Sequence, residues 1–107
     1  MIDPKTVPSF KLNDGGVIPC IGMGTFGSDR VTPDEVAQAV AGGIRVGYRL
    51  FDCAACYGNE AQIGKVFKEA FDEGVVTRGE LFIMSKVWND MHRRVRESCL
   101  KTISDLQ

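Results

Sequence analysis

Residues Arg49 to Glu60 read RLFDCAACYGNE and carry two sets of groups that could do chemistry. Cys53 and Cys56 stand at C-x-x-C spacing, the spacing of a redox pair or of half a zinc site. Asp52 and Tyr57 lie just outside that pair and, with Lys86 further along, supply a carboxylate, a phenol and an ammonium. A redox pair works when the first thiolate is stabilised at a helix N-terminus and the second is held one turn behind it. Here the helical pattern starts at about Asn59, after both cysteines, so that activation is missing. Structural zinc takes four ligands, and Cys20, His92 and Cys99 form no second pair at a standard spacing. No metal site is expected.

The second set depends on where the strands end. Asp52 closes one predicted strand and Lys86 another, and in parallel sheets ligands and catalysis gather at the C-terminal ends of strands. Consecutive parallel strands usually lie side by side at ~4.8 Å, within reach of a lysine and an aspartate. From spacing alone, a salt bridge that ties two strand ends together explains the pair equally well, with Tyr57 packed as a loop aromatic. The tyrosine favours the catalytic reading. A phenol is a poor acid at neutral pH, and a neighbouring ammonium stabilises the phenolate. A third motif, GMGTFG at Gly22, Gly24 and Gly27, matches the glycine pattern of a dinucleotide-binding turn. In that fold the third glycine lies in a helix whose N-terminus faces the pyrophosphate. Here SDRV intervenes before the next helix cap, so the glycines read instead as a close-approach loop at the end of a strand.

The elements that must position these residues alternate between short apolar runs and amphipathic stretches, the pattern of βα units on a parallel sheet. A strand is predicted at Phe10 to Leu12, a turn at Asn13-Asp14-Gly15-Gly16 and a return strand at Val17-Ile18. The first sheet strand follows at about Ile21 to Gly24. Helix one starts after Thr32, with Pro33 at its first position, Glu35 completing a capping box and Gly42-Gly43 marking its end. Strand two is 48–52. Helix two runs from Asn59 to about Glu73, with Ile63, Val66, Phe67, Ala70 and Phe71 on one face and Gly74 just beyond. Strand three is 81–86. Helix three covers about His92 to Leu106, its apolar face marked by Val95, Cys99, Thr102, Ile103 and Leu106, with Cys99 as a small buried side chain. The basic cluster HRRVR at 92–96 reads as the solvated side of that helix.

The chain has 107 residues, 44% hydrophobic and 25% charged, with a formal net charge of −1, enough for one small globular domain. That balance offers no field to attract nucleic acid or an anionic membrane, and no apolar run approaches the ~18 residues of a membrane span. The start, MIDPKTVPS, lacks the apolar core of a secretory signal. A cytosolic location with reduced cysteines is expected.

The stretches GYRLFDCAACYGNE, LFIMSKVWN and KLNDGGVIPCIGMGTF resemble the aldo-keto reductase superfamily, particularly the aldose and xylose reductases. The resemblance extends in order over nearly the whole chain. It implies a (β/α)8 barrel closed at the bottom by the N-terminal hairpin, using NADPH to reduce aldehydes and ketones to alcohols. Tyr57 matches the family's general acid, Lys86 the cation that tunes it and Asp52 the carboxylate paired with the lysine. Gly24, Thr25 and Phe26 match the loop beside nicotinamide and substrate, Asp52 shares in that cofactor site, and Trp88 matches a pocket aromatic, so Phe26, Tyr57 and Trp88 are the expected substrate contacts. Phe26 stands where many relatives carry tryptophan. A closed barrel needs typically ~250 residues, so residues 1–107 are expected to be a single incomplete domain, the N-terminal part of the barrel with about three βα units. The resemblance also implies a catalytic histidine at the end of a fourth strand, after the last residue here, and gives His92 no such duty. Most contacts to the adenosine and phosphates of NADPH would come from that later half. Two readings follow: a segment of a longer reductase that needs the remainder of the barrel, or a short, catalytically dead chain acting by association.

Overall fold

The computed structural model describes all 107 residues. The turn residues set the first unit. Gly15 adopts φ 88°, the Asp14 carboxylate accepts a hydrogen bond from Gly16 N at 2.8 Å, and Leu12 N donates to Gly16 O at 2.7 Å. These bonds close a hairpin of β1 (Ser9–Lys11) and β2 (Val17–Pro19), paired Phe10 to Ile18. A separate parallel sheet follows in the order β3 (Met23–Gly24), β4 (Leu50–Asp52) and β5 (Phe82–Met84). The strands are shorter than the apolar runs suggested, so Lys86 lies two residues past β5.

Register divides the sheet into two rows. Met23, Phe51 and Ile83 are partners across the sheet, and all three pack into the core. Gly24, Asp52 and Met84 form the next row, which the pleat turns to the other face. The helices α1 (Pro33–Val46), α2 (Glu60–Asp72) and α3 (Val95–Leu106) pack in sequence, α1 on α2 and α2 on α3. Val36, Val40 and Ile44 of α1 meet Phe51 of β4 and Ile63 and Phe67 of α2 in one cluster, with the Phe51 and Phe67 rings edge to face at 5.5 Å. No helix is long and apolar enough to cross a membrane.

The start of α1 follows its residues closely. Thr32 Oγ1 accepts from Glu35 N and Glu35 Oε2 accepts from Thr32 N, the reciprocal bonds of a capping box, typically worth ~1 kcal/mol. Its end differs from expectation. Gly42 and Gly43 lie inside the helix, which runs on to Val46 and stops at Gly47, φ 117°. Gly43 is there for proximity, because a Cβ would press on the Met23 sulfur of β3.

Helix α3 differs in both start and face. A short 3-10 turn, Asn89–Met91, precedes it, and the helix begins at Val95, leaving His92 outside. Its buried residues are Ser98 and Leu106, with Thr102 and Asp105 half-buried, while Val95, Cys99 and Ile103 are exposed. Cys99 is therefore a surface thiol. The rotation follows from close contact with α2, where a Cβ on Gly64 would overlap the Asp105 carbonyl oxygen, and from polar partners that α2 offers to Thr102. Arg93, Arg94 and Arg96 face solvent.

Candidate active site

Register alone brings two of the expected groups together. Asp52 is the last residue of β4, and its sheet neighbours are Gly24 and Met84. Lys86, two residues beyond Met84, reaches back so that Nζ donates to Asp52 Oδ1 at 2.5 Å, to the Cys53 carbonyl at 2.8 Å and to Tyr57 Oη at 3.1 Å. Tyr57 arrives through a 3-10 turn, Ala55–Tyr57, that ends at Gly58 with φ 69°. The ammonium also lies 4.9 Å from the centroid of the tyrosine ring. The hydrogen bond to Asp52, chiefly, holds the Lys86 ammonium above its ordinary pKa, with burial opposing and the hydrogen bond to Tyr57 adding. A raised value means the charge is complete at neutral pH, and its stabilising contribution fades only as pH rises past the ordinary lysine range. Both side chains are about half exposed, so the ion pair adds little to fold stability.

The glycine loop supplies the facing wall. Thr25, 1% exposed, donates through both its amide and its hydroxyl to the Asp52 carbonyl, at 3.2 and 2.9 Å. Phe26 lies exposed, its ring 5.2 Å from that of Tyr57 and tilted by 48°. A Cβ on Gly24 would meet open space. Thus Asp52, Tyr57, Lys86, Gly24, Thr25 and Phe26 converge at one sheet end. Trp88 is exposed and lines a cavity of about 550 Å3 with Cys56 and Glu60, a cavity that neither Tyr57 nor Lys86 enters.

Asn59 and Glu60 do more here than start a helix. Asn59 Nδ2 donates to the Thr25 carbonyl at 2.7 Å, and its buried Oδ1 has no protein partner. Glu60, 5% exposed, accepts from Ser85 and Thr102. The YGNE string could have signalled this role only through the polarity of residues that the fold buries.

The thiols separate by environment. Cys53 is fully buried, and burial, chiefly, pushes its thiol up to about 11, with the Glu60 and Asp52 charges adding and a Thr25 hydrogen bond opposing. Cys56 is exposed, all four cysteines are free, and α2 begins after both members of the pair. No cluster of three or more His, Cys, Asp or Glu side chains could hold a metal ion. Brief iodoacetamide treatment of the folded protein at neutral pH should therefore label Cys56 and spare Cys53. Equal labelling in a mass-mapped digest would contradict that assignment.

The model of the aldo/keto reductase family matches residues 20–105, and the chain belongs to that family. It is 48% identical over 100 residues to aldose reductase C of Dictyostelium discoideum, covering 92% of this chain and 30% of that protein. It is 45% identical over 108 residues to NAD(P)H-dependent D-xylose reductase I,II of Candida tropicalis, covering 99% of this chain and 32% of that protein. The Bombyx mori aldo-keto reductase, solved in complex with NADP, superposes with a TM-score of 0.88 at 38% identity, over 99% of this chain and 35% of that one. The chain thus spans about a third of the length of these relatives. Its fold is the N-terminal part of a (β/α)8 barrel, a leading hairpin followed by three βα units.

Proposed function

We propose that residues 1–107 form the first part of an NADPH-dependent reductase of aldehydes and ketones, aldoses or related carbonyls among them, with Tyr57 as its general acid. The observation that carries the reading is a single ammonium in contact with both a carboxylate and a phenol at the C-terminal edge of a parallel sheet. On this reading the chain is one incomplete domain that needs the remainder of its barrel, and its four unpaired cysteines suit a reducing cytosol.

The residues present fit the nicotinamide end of such a cofactor. Gly24 leaves open space at the strand end, Phe26 presents an exposed ring, and Thr25 is fixed against the Asp52 backbone. They do not suit the pyrophosphate, because the cation at this face, Lys86, is already paired with Asp52. NADPH, when bound, supplies the hydride to the carbonyl carbon. Tyr57 hydrogen-bonds the carbonyl oxygen and gives up its proton as negative charge develops there, leaving an alcohol. Lys86 stabilises the phenolate so formed, and Asp52 keeps the ammonium charged and aimed.

These roles imply an order of severity. In the complete reductase Lys86→Met should lower turnover by about 10²–10³-fold, the range for losing one preorganised electrostatic contact. Asp52→Asn should retain more activity, because it leaves the ammonium in place. Steady-state kinetics on a simple aldehyde would reject the assignment if Lys86→Met proved the milder of the two.

A further inference from the structure

We infer that Glu60 and Ser85 form a positioning pair that sets the distance between Tyr57 and Lys86. The inference rests on the proposed role of those two groups and names what holds them together. Glu60 opens α2 three residues after Tyr57, and Ser85 directly precedes Lys86. Ser85 Oγ donates to Glu60 Oε2 at 2.6 Å, so a side-chain bond joins the two chain segments that carry the phenol and the ammonium. The 3.1 Å contact between Lys86 Nζ and Tyr57 Oη spans those same two segments. Burial restrains the Glu60 side chain, which is 5% exposed, and its other oxygen accepts a hydrogen bond from Thr102 Oγ1 of α3 at 2.8 Å. On the opposite side Asn59, its chain neighbour, fastens the same loop to the Thr25 carbonyl. Two consecutive side chains thus tie the tyrosine loop to the strand ends on either side of it.

A carboxylate suits the place because it offers two acceptors and no donor to two hydroxyls that both donate. Glu60 touches neither Tyr57 nor Lys86 by hydrogen bond, so its influence passes through the backbone at each end. The two hydroxyls on it separate positioning from stability. Ser85 leads to the reactive pair, whereas Thr102 leads to the outer helix.

The test uses the complete reductase with Glu60→Gln, Ser85→Ala, Ser85→Thr, Thr102→Val and Tyr57→Phe, measuring kcat, KM for a simple aldehyde, NADPH binding and Tm. A misplacement of reacting groups of this kind is expected to lower kcat by about tenfold to a hundredfold in Ser85→Ala and Glu60→Gln. KM and NADPH affinity should stay within about twofold, since Glu60 is 5% exposed and its carboxylate is bonded to Ser85 and Thr102, not to the Gly24–Phe26 wall or to Tyr57. Ser85→Thr, which keeps the hydroxyl, should restore turnover. Thr102→Val should lower Tm at least as much as Ser85→Ala and leave kcat within about twofold. The inference is overturned if Ser85→Ala keeps parental kcat, or if kcat falls in step with Tm across all these variants, Thr102→Val included. An inactive Tyr57→Phe enzyme beside a fully active Ser85→Ala enzyme removes this inference alone, whereas an active Tyr57→Phe enzyme removes the proposed function as well.

Discussion

Replacing Tyr57 with phenylalanine in the complete reductase should abolish carbonyl reduction while leaving NADPH binding nearly unchanged. Hydride attack leaves negative charge on the carbonyl oxygen, and a positioned proton donor at that oxygen typically contributes ~10²–10⁴-fold. The geometry suits Tyr57 to the role proposed for it. Lys86 donates to Tyr57 Oη, so the phenol accepts from the ammonium and keeps its own proton free for the substrate. Phenylalanine keeps the ring against Phe26 and loses only the hydroxyl, so the packing at 5.2 Å should survive. The variant therefore isolates the proton from the pocket. Reduction within about tenfold of the parent, below the usual range for a lost general acid, would remove Tyr57 from that role.

A polypeptide of residues 1–107 alone should show no cooperative thermal transition as a monomer and no NADPH oxidation with a simple aldehyde. Strands β3 and β5 each pair on one side only, with β4, so both edges of the sheet are open. Only 19 of 107 residues are buried, and Ile21, Phe26, Val31, Val95, Leu100 and Ile103 lie exposed, which leaves a small core to oppose the entropy of ordering the chain. Exposed apolar groups and free edges favour association over a lone folded monomer. Calorimetry at several concentrations, with sedimentation to fix the species present, checks this. A sharp transition independent of concentration would show that the three βα units are self-sufficient.

Local chemistry was legible where it acts over a few residues. The Thr32 capping box, the Gly15 turn and the convergence of Asp52 and Lys86 on one sheet end all follow from spacing, because caps, turns and strand order are set by near neighbours or simple topology. Misreadings came where distant chain overrides the local signal. Gly43 reads as a helix stop, but its missing side chain answers to Met23 on β3. Of the face expected on helix α3, Thr102 and Leu106 are covered, but Val95, Cys99 and Ile103 are exposed and Ser98 is buried in their stead. Glu60 stands in the first turn of α2, where the helix dipole alone would account for an acidic residue. Its partners lie 25 and 42 residues away, beyond any periodicity.

The three bonds made by Lys86 set a stereochemical limit on the site. An ammonium has three protons to give and no lone pair, and Asp52, Cys53 and Tyr57 take all of them. The nitrogen is saturated. On the proposed reading, a substrate oxygen at this face gains no direct bond from the cation, so whatever charge Lys86 draws from it must pass through the phenol, in single file. Tetrahedral geometry also matters. A guanidinium spreads its donors in a flat fork and cannot point three of them at a carboxylate, a carbonyl and a phenol around one atom, so arginine at position 86 would keep the charge and lose the junction.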